Sequence, residues 1–371
     1  MTLKTVRFNT KEKPEFYKVL RKRVNGYFKE NNISKFANAR MKWKTAIILT
    51  AFFTPLVLLL AGLVPNPYIQ VLLWIFMGVG MAGVGLTIMH DANHGSYSKN
   101  QMVNKILGMT INFAGGYALN WKIQHNVLHH TYTNISDMDQ DIDTGKIMRF
   151  SPRQPHFKFQ KFQIIYAWFF YGLMTFYWVV AKDFIQIASF KKDELLKAQG
   201  KTLGMALLEI FAVKVVYLFI FAFLPLYFMD ISFWFWFLCF FSKHFVAGLI
   251  LALVFQPAHV IEDTEFPEPD GEGSLENNWA IHQFKTTANF APKNNVLGWY
   301  MGGLNYQVEH HMFPTVCHIH YPKISKIVKA TCEEYGVPYY SKDTFTDAVV
   351  SHAKLLARLG KGESVSPASA K

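Results

Sequence analysis

The chain has 371 residues, of which 51% are hydrophobic and only 17% are charged. This composition excludes an ordinary soluble domain and predicts an all-α integral membrane protein. The formal net charge is +12; beside membrane spans it indicates contact with anionic lipid headgroups, so nucleic acid is not an expected partner. The three cysteines are too far apart for a C-x-x-C pair, which argues against a cysteine metal site and a disulfide framework.

The chain begins with a basic segment. Residues 1–44 contain 13 Lys or Arg and three Glu, and they lack the apolar core of a signal peptide. The positive-inside rule places such a segment on the cytoplasmic side. We therefore expect residues 1–43 to form a cytoplasmic segment, residues 44–359 a membrane domain, and residues 360–371, which are small and polar, a disordered tail.

Four apolar stretches are long enough to cross a bilayer as helices. They are residues 45–64, 69–89, 205–229 and 231–258, and about 20 helical residues cross a hydrocarbon core of about 30 Å.

Two shorter or ambiguous segments need a different placement. The apolar segment 107–119 is too short to cross. Residues 163–181 are long enough, but a crossing there would place the lysines that follow, and the last histidine motif, on the outer side. We expect both segments to lie at the membrane interface, with both chain termini cytoplasmic.

Three short motifs hold seven of the 14 histidines. They read HDANH at residues 90–94, HNVLHH at 125–130 and QVEHH at 307–311. Side chains three or four positions apart lie on one face of a helix, so each motif can direct its histidines at one point. Imidazole binds iron, copper and zinc, and so many histidines leave room for more than one ion. The candidate ligands are His90, His94, His125, His129, His130, His310 and His311.

Other residues could complete such a site. His259, at the end of the fourth predicted span, is a candidate eighth ligand, although a histidine there could instead cap helix carbonyls. A ligating imidazole usually donates its other N–H to a carboxylate or carbonyl, which fixes its tautomer. The candidate carboxylates for that role are Asp91, Asp137, Asp139 and Asp141.

Several other polar residues are better explained without a metal. His282 is a weak ligand candidate, and His156 and His352 are expected at the surface. Lys214 and Lys243 fall within the third and fourth predicted spans. We expect these lysines to extend to the interface or to pair within the helix bundle.

Two further patterns resemble ligand motifs and are interpreted otherwise. GVGMAG at residues 78–83 matches the dinucleotide fingerprint G-x-G-x-x-G, which requires a strand and a soluble βαβ unit. Here the pattern lies inside a predicted span, where small residues favour close helix packing. The alternating aspartates at residues 137–143 lack the glycine that a calcium loop needs at its sixth position.

The three histidine motifs resemble those of the membrane fatty acid desaturase family, which follow H-x(3,4)-H, H-x(2,3)-H-H and [HQ]-x-x-H-H. The similarity covers residues 90–340, including WKIQHNVLHHTYTN and NYQVEHHMFP. The leading glutamine of the third motif resembles front-end desaturases and bacterial linoleoyl-CoA desaturase-like proteins. The resemblance implies two iron ions held by the histidines, O2 as the oxidant and removal of two hydrogens from an acyl chain. It also implies that Gln307 ligates weakly or orients a water.

The same resemblance implies a fold, a location and partners. Four transmembrane helices would carry a cytoplasmic helical cap that holds the diiron site, in a bacterial inner membrane or the endoplasmic reticulum. The substrate would be an acyl-CoA or a membrane acyl-lipid. Many eukaryotic front-end relatives carry a fused cytochrome b-type domain with an HPGG motif, which this sequence lacks. We therefore expect a separate ferredoxin or small cytochrome as electron donor, steered by the basic face if it is acidic.

Two other functions remain open. A hydroxylase of the same superfamily would use the same residues and differ only in the fate of the substrate radical. A divalent-metal transporter would need polar residues along its spans, and the first two predicted spans have almost none.

Overall fold

The computed structural model describes residues 6–365, which are mainly helical. The helices are α1 (Pro14–Glu30), α2 (Ala39–Leu60), α3 (Pro67–Gly83), α4 (His90–Asn93), α5 (Gln101–Gly108), α6 (Ala118–Trp121), α7 (His130–Tyr132), α8 (Gln163–Gly172), α9 (Met174–Tyr177), α10 (Asp183–Lys192), α11 (Leu195–Ala198), α12 (Leu203–Leu218), α13 (Leu224–Phe228), α14 (Phe233–His259), α15 (Trp279–Thr286), α16 (Asn295–Tyr300), α17 (Gln307–Met312), α18 (Tyr321–Tyr335) and α19 (Phe345–Gly360).

Short segments of other geometry complete the secondary structure. The π-helical segments are Val84–Met89, Lys122–His129, Trp178–Lys182 and Phe219–Phe223, and the 3-10 segments are Met109–Ala114, Lys158–Phe162 and His318–His320. The strands are β1 (Arg7–Phe8), β2 (Ser274–Leu275), β3 (Ala288–Phe290) and β4 (Tyr340–Lys342). Strand β1 pairs in parallel with β2, and β3 pairs in parallel with β4.

Among residues 6–365, four helical stretches are long and apolar enough to cross a membrane, as predicted. They are Ala39–Leu60, Pro67–Asn93, Leu203–Phe228 and Phe233–His259. The first three begin before the predicted apolar stretches because a polar side chain caps each helix further upstream. The cap residues are Asn38, Asn66 and Thr202, whose side-chain oxygens accept backbone N–H groups.

The two segments expected at the interface are short or bent. Residues 107–119 are divided among α5, a 3-10 turn and α6, with a left-handed Gly115 (φ 81°) between them. The second segment lies within two arms, Lys158–Gly172 and Met174–Lys192, which meet at 56°. By length and composition these arms together could form a broken span or a re-entrant loop, so their interfacial location stays a prediction.

One compact unit consists of Asn38–Ile123 and Trp168–Leu253. Its helices approach closely at the glycines of the 78–83 pattern. A Cβ on Gly78 would lie 2.5 Å from the carbonyl oxygen of Lys243, and a Cβ on Gly80 would lie 2.8 Å from the Cα of Phe52. Only glycine leaves room for these contacts, which supports the interpretation of this pattern as a packing motif.

Lys214 and Lys243, the two lysines singled out within the predicted spans, pair within the bundle, which is one of the two arrangements expected from the sequence. Lys214 Nζ lies 2.5 Å from Asp183 Oδ2. Lys243 is fully buried; its Nζ donates to Tyr217 Oη at 2.9 Å and lies 3.8 Å from the ring centroid of Phe221. The desolvation of each ammonium is therefore offset by a carboxylate or by π faces.

The second compact unit combines the two ends of the chain with residues between them. Within the described residues it consists of residues 6–37, 124–167 and 254–365. Helix α1 buries a stripe at every fourth position and packs on α18; the stripe is Phe16, Leu20, Val24 and Phe28.

The domain division expected from the sequence differs from these compact units. Helix α1, within the expected segment 1–43, has its stripe in the same hydrophobic core as residues from α15, α17 and α18. The cytoplasmic location of that segment stays a prediction. Gly360, the first residue of the expected tail 360–371, ends α19, and disorder of the tail stays a prediction. Residues 366–371 lie outside the described residues, as do residues 1–5.

We expect Gly78→Ala to destabilise the protein, because the added methyl group would meet the Lys243 backbone, which cannot move aside. Overpacking of this kind costs about 1–3 kcal/mol. A lower unfolding temperature of the detergent-purified protein would show the effect. Gly204→Ala is the matched control: Gly204 lies in α12 with no atom near its Cβ position, so its unfolding temperature should not fall.

Candidate metal centre

The second histidine motif lies on an unusual helical segment. Residues Lys122–His129 are π-helical and lead directly into α7 at His130. A π-helix closes its hydrogen bonds over five residues instead of four, and such segments occur frequently at functional sites. His129 and His130 follow His125 by four and five positions, so the wider turn keeps all three on one side of the segment.

One group of imidazoles comprises His129, His259 and His311. The three rings are buried, and one potential ligand atom of each lies within 4.8 Å of the others. They come from the π-helical segment, the end of α14 and helix α17. Three nitrogen ligands at such separations are a suitable donor set for a transition metal ion.

The outer ring nitrogen of each of these histidines has a fixed acceptor. An imidazole that donates Nδ1–H to such an acceptor keeps its Nε2 lone pair for a metal. The Nδ1 pairs are His129 with the Asp139 carboxylate (3.0 Å), His259 with the Thr286 carbonyl (3.1 Å) and His311 with Gln283 Oε1 (2.8 Å).

The Nε2 atom of His129 shows that this group fits a cation. It is buried and has no hydrogen-bond partner among the described residues, a costly arrangement unless another group binds it. Burial lowers the pKa of His129, but the carboxylates of Asp139 and Asp141 raise it, and the balance brings that pKa to about 9. A ring made this basic by its carboxylate partner is a strong metal ligand once deprotonated.

A second group of imidazoles comprises His125, His130 and His310. His130 Nε2 lies 2.9 Å from His310 Nε2 and 3.3 Å from His125 Nε2. Two nitrogens bound side by side on one ion at about 2.1 Å would lie about 3 Å apart. His125 Nδ1 lies 3.1 Å from Asp141 Oδ2, so its Nε2 is the unprotonated nitrogen, and a cation would bring these nitrogens together.

Gln307 lies beside the first group. Its Nε2 is 3.1 Å from His259 Nε2, and its Oε1 is buried without a hydrogen-bond partner. Rotating the amide group by 180° would exchange Oε1 and Nε2, so that Oε1 would lie beside His259 Nε2, where it could also bind a metal ion.

Glu309 is a buried residue of the third motif that the sequence analysis did not single out. Its carboxylate accepts hydrogen bonds from Asn289 Nδ2 and Tyr339 Oη, each at 2.8 Å. Burial raises the pKa of Glu309, and the two hydrogen bonds lower it. The net result is a pKa of about 7. The carboxylate ties α17 to its surroundings and so positions the two histidines that follow it.

In the other compact unit, His90 and His94 lie at the end of the span Pro67–Asn93. Their ring centroids are 4.8 Å apart, and each ring contacts the edge or face of Trp121, at 5.5 and 5.6 Å. The first motif therefore forms a close pair, as its spacing predicted. Trp121 was not identified from the sequence, because an aromatic residue in an apolar segment gives no signal of its own.

Comparison with known proteins identifies the family. Residues 65–343 match the family model described as fatty acid desaturase. The chain belongs to the fatty acid desaturase family. It is an oxidoreductase that desaturates fatty acyl chains, so the resemblance drawn from the three motifs is confirmed.

Relatives of known name cover almost the whole chain. The sn-1 linoleoyl-lipid 6-desaturase of Synechocystis sp. is 36% identical over 97% of this chain and 99% of the relative. The protein of the same name from Arthrospira platensis is 37% identical over 93% and 92%. The acyl-lipid (8-3)-desaturase of Physcomitrium patens is 33% identical over 97% of this chain and 74% of the relative. Family membership and the histidine groups together indicate that the enzyme uses metal.

Some residues predicted near a metal lie elsewhere. His282 donates its Nε2–H to the Thr133 carbonyl at 2.8 Å, so its ring supports the backbone after the second motif. Asp137 is exposed on a left-handed turn (φ 68°) and does not contact the histidines.

The expectation of a surface position for His352 is wrong. The ring is buried and donates to the Val260 carbonyl at 2.6 Å, and burial lowers the pKa of His352 to about 4.

We expect Asp139→Asn to weaken metal binding about 10–100-fold, the usual loss when the outer partner of a ligating histidine is removed. The amide cannot accept the His129 proton as a charged carboxylate does. Metal content after dialysis against increasing chelator, measured by elemental analysis, would show the loss. Asp137→Asn is the matched control and should retain metal like the wild type, because Asp137 is exposed.

We expect His259→Ala to lose metal at lower chelator concentrations than Asp139→Asn, since it removes a candidate ligand nitrogen and not a supporting carboxylate. His282→Gln should retain the wild-type metal content, because the amide can replace the hydrogen bond to Thr133. Equal metal retention by the His259 and His282 variants would contradict the assignment of His259.

Proposed function

We propose that the chain is an O2-dependent acyl-lipid desaturase that uses two iron ions and electrons from a separate carrier. The observation that supports this proposal best is the arrangement of the buried imidazoles, whose outer nitrogens are held so that their inner nitrogens face one another. Buried histidines paired with carboxylates and carbonyls are typical of metal centres.

We assign eight histidines and one amide to the two ions. His90 and His94 join the set because they form the first motif of the family. Gln307 ligates weakly or orients a water. Asp91 is buried directly after His90 and is assigned, with Asp139 and Asp141, to hydrogen-bond the ligands. The proposed ligands are His90, His94, His125, His129, His130, His259, His310 and His311.

The protein's own residues position the reaction and keep it dry. When bound, iron would activate O2, the oxidant, for removal of hydrogen from an unactivated chain. The overall change is –CH2–CH2– plus O2, two electrons and two protons, giving –CH=CH– and two H2O. Asp139, Gln283 and Thr286 hold the rings in one tautomer, and burial of His129 and His311 excludes bulk water.

We propose a membrane acyl-lipid as the substrate in preference to an acyl-CoA. The two cyanobacterial relatives, which match over nearly their whole length, are named for a linoleoyl lipid and for position 6. The relative from Physcomitrium patens is also named for an acyl-lipid. A new double bond on the carboxyl side of an existing one agrees with these names and with the leading glutamine of the third motif.

We further propose that both chain termini face the cytoplasm, in a bacterial inner membrane or an endoplasmic reticulum membrane. The basic N-terminal region supports this orientation through the positive-inside rule. The electron donor would then be a ferredoxin or a small cytochrome in the same compartment.

Expression in a host that contains linoleoyl lipids tests the proposed reaction. We expect a new fatty acid that is lighter than linoleate by two hydrogens and has its extra double bond at position 6, as shown by mass spectrometry of derivatised esters. The new fatty acid should be absent with His310→Ala, which removes a ligand. A product heavier by one oxygen would instead identify a hydroxylase, and the absence of any new lipid with iron and donor supplied would contradict both.

A further inference from the structure

Helix α1 has a charged outer face opposite its buried stripe. Its apolar stripe lies in the core of the second compact unit, which leaves the polar positions outside. Helix α18 is similar: it buries Ile324 and Val328 and exposes lysines. The exposed basic residues of the two helices, called the basic face below, are Lys18, Arg21, Lys22, Arg23, Lys29, Lys323, Lys326 and Lys329.

The two halves of the basic face adjoin. Helices α1 and α18 pack on each other, and the Arg23–Glu334 ion pair, at 2.7 Å, links their exposed sides. The two helices together expose eight Lys and Arg residues and only four Glu residues, which is an excess of four positive charges. A surface with this charge excess attracts an acidic protein and accelerates its association.

An aromatic pair connects the edge of this face to a proposed metal ligand. Tyr17, next to Lys18 on α1, lies against Trp279 with ring centroids 5.7 Å apart. Both side chains are half-buried. The indole N–H of Trp279 donates to the carbonyl oxygen of His130 at 3.1 Å. The path from the Trp279 indole to the His130 ring therefore consists of one hydrogen bond and a few covalent bonds.

We propose that a small acidic one-electron carrier docks on the basic face and that its electrons pass by way of Tyr17 and Trp279 to His130. The inference rests on the proposed function, which requires two electrons per double bond. Each docking oxidises one reduced carrier by one electron, and two such events supply the electrons that reduce O2 to water together with the two substrate hydrogens and two protons.

The composition of the face favours a protein partner over a lipid surface. A helix that lies in the membrane interface buries an apolar side in the acyl region. The apolar side of α1 is already buried in the protein, and neither Pro14–Glu30 nor Tyr321–Tyr335 has an exposed large hydrophobic side chain. Anionic headgroups could be attracted by charge alone, so the experiment includes vesicles.

Charge reversal tests the docking surface. The probe is an oxidised, acidic plant-type [2Fe–2S] ferredoxin, and its Kd for the iron-loaded, detergent-purified enzyme is measured at low salt. We expect Arg21→Glu with Lys22→Glu to weaken binding about tenfold or more, because both changes replace attraction by repulsion. Lys354→Glu with Lys361→Glu, exposed residues at the other end of the chain, is the control and should leave Kd within about twofold of wild type.

A second variant tests the aromatic pair. Trp279→Phe retains a ring against Tyr17 but removes the hydrogen bond to His130. We expect unchanged ferredoxin binding, iron content and unfolding temperature, with a slower oxidation of pre-reduced ferredoxin in stopped-flow measurements. Trp299→Phe, at a partly exposed tryptophan of α16, should leave this rate unchanged. Equal rates for the wild type and Trp279→Phe would rule out this route.

The outcomes separate docking from the proposed function. If the charge-reversed enzyme binds ferredoxin as the wild type does, the docking proposal is overturned, even if the wild type makes double bonds. If it loses affinity only for phosphatidylserine vesicles, the basic face is a membrane surface and the proposal is again overturned. If ferredoxin binding falls as expected while the wild type makes no double bond, the docking surface is supported and the proposed function fails.

Discussion

The pairing of the outer nitrogens of His129, His259 and His311 is the constraint on which the candidate metal centre depends. A buried ring must satisfy two nitrogens, and in this protein the outer one is matched to a carboxylate, a carbonyl or an amide oxygen. These acceptors come from the loop after the second motif and from α15. The fold of the second unit can be understood as a means of holding these acceptors in place. Asp139, for example, also accepts the backbone N–H groups of Asn134 and Asp141, so one carboxylate fixes both the loop and the ring of His129.

Departures from regular α-helix serve the same end. The second motif has three residues between its first histidine and its histidine pair, and the π-helical segment Lys122–His129 accommodates that spacing. The first motif follows another π-helical segment, Val84–Met89, and the third lies on a helix of six residues that the buried Glu309 anchors. The first two motifs are thus positioned by π-helical segments, and the third by the hydrogen bonds of Glu309.

Much of this could be predicted from sequence because it depends on local patterns. Span length, histidine spacing and the packing role of Gly78 and Gly80 follow from short stretches of chain. The features that could not be predicted depend on the direction in which a side chain points and on contacts with residues far away in the sequence. Asp137 and Asp139 are equivalent as letters, yet a left-handed turn points one to solvent and the loop turns the other inward. His352 is buried by a segment almost a hundred positions away. The stripe on α1 was hidden by the density of basic residues around it.

The composition of the second unit also has a consequence for biosynthesis. Helix α1 is made before the four candidate spans, but the core that covers its apolar stripe includes α15, α17 and α18, which are made after them. Since a chain emerges from the ribosome at about 5–20 residues per second, that stripe stays without its partners for tens of seconds while the apolar spans are synthesised. His310 and His311 follow all four candidate spans, so the full set of candidate ligands exists only after those spans have been synthesised.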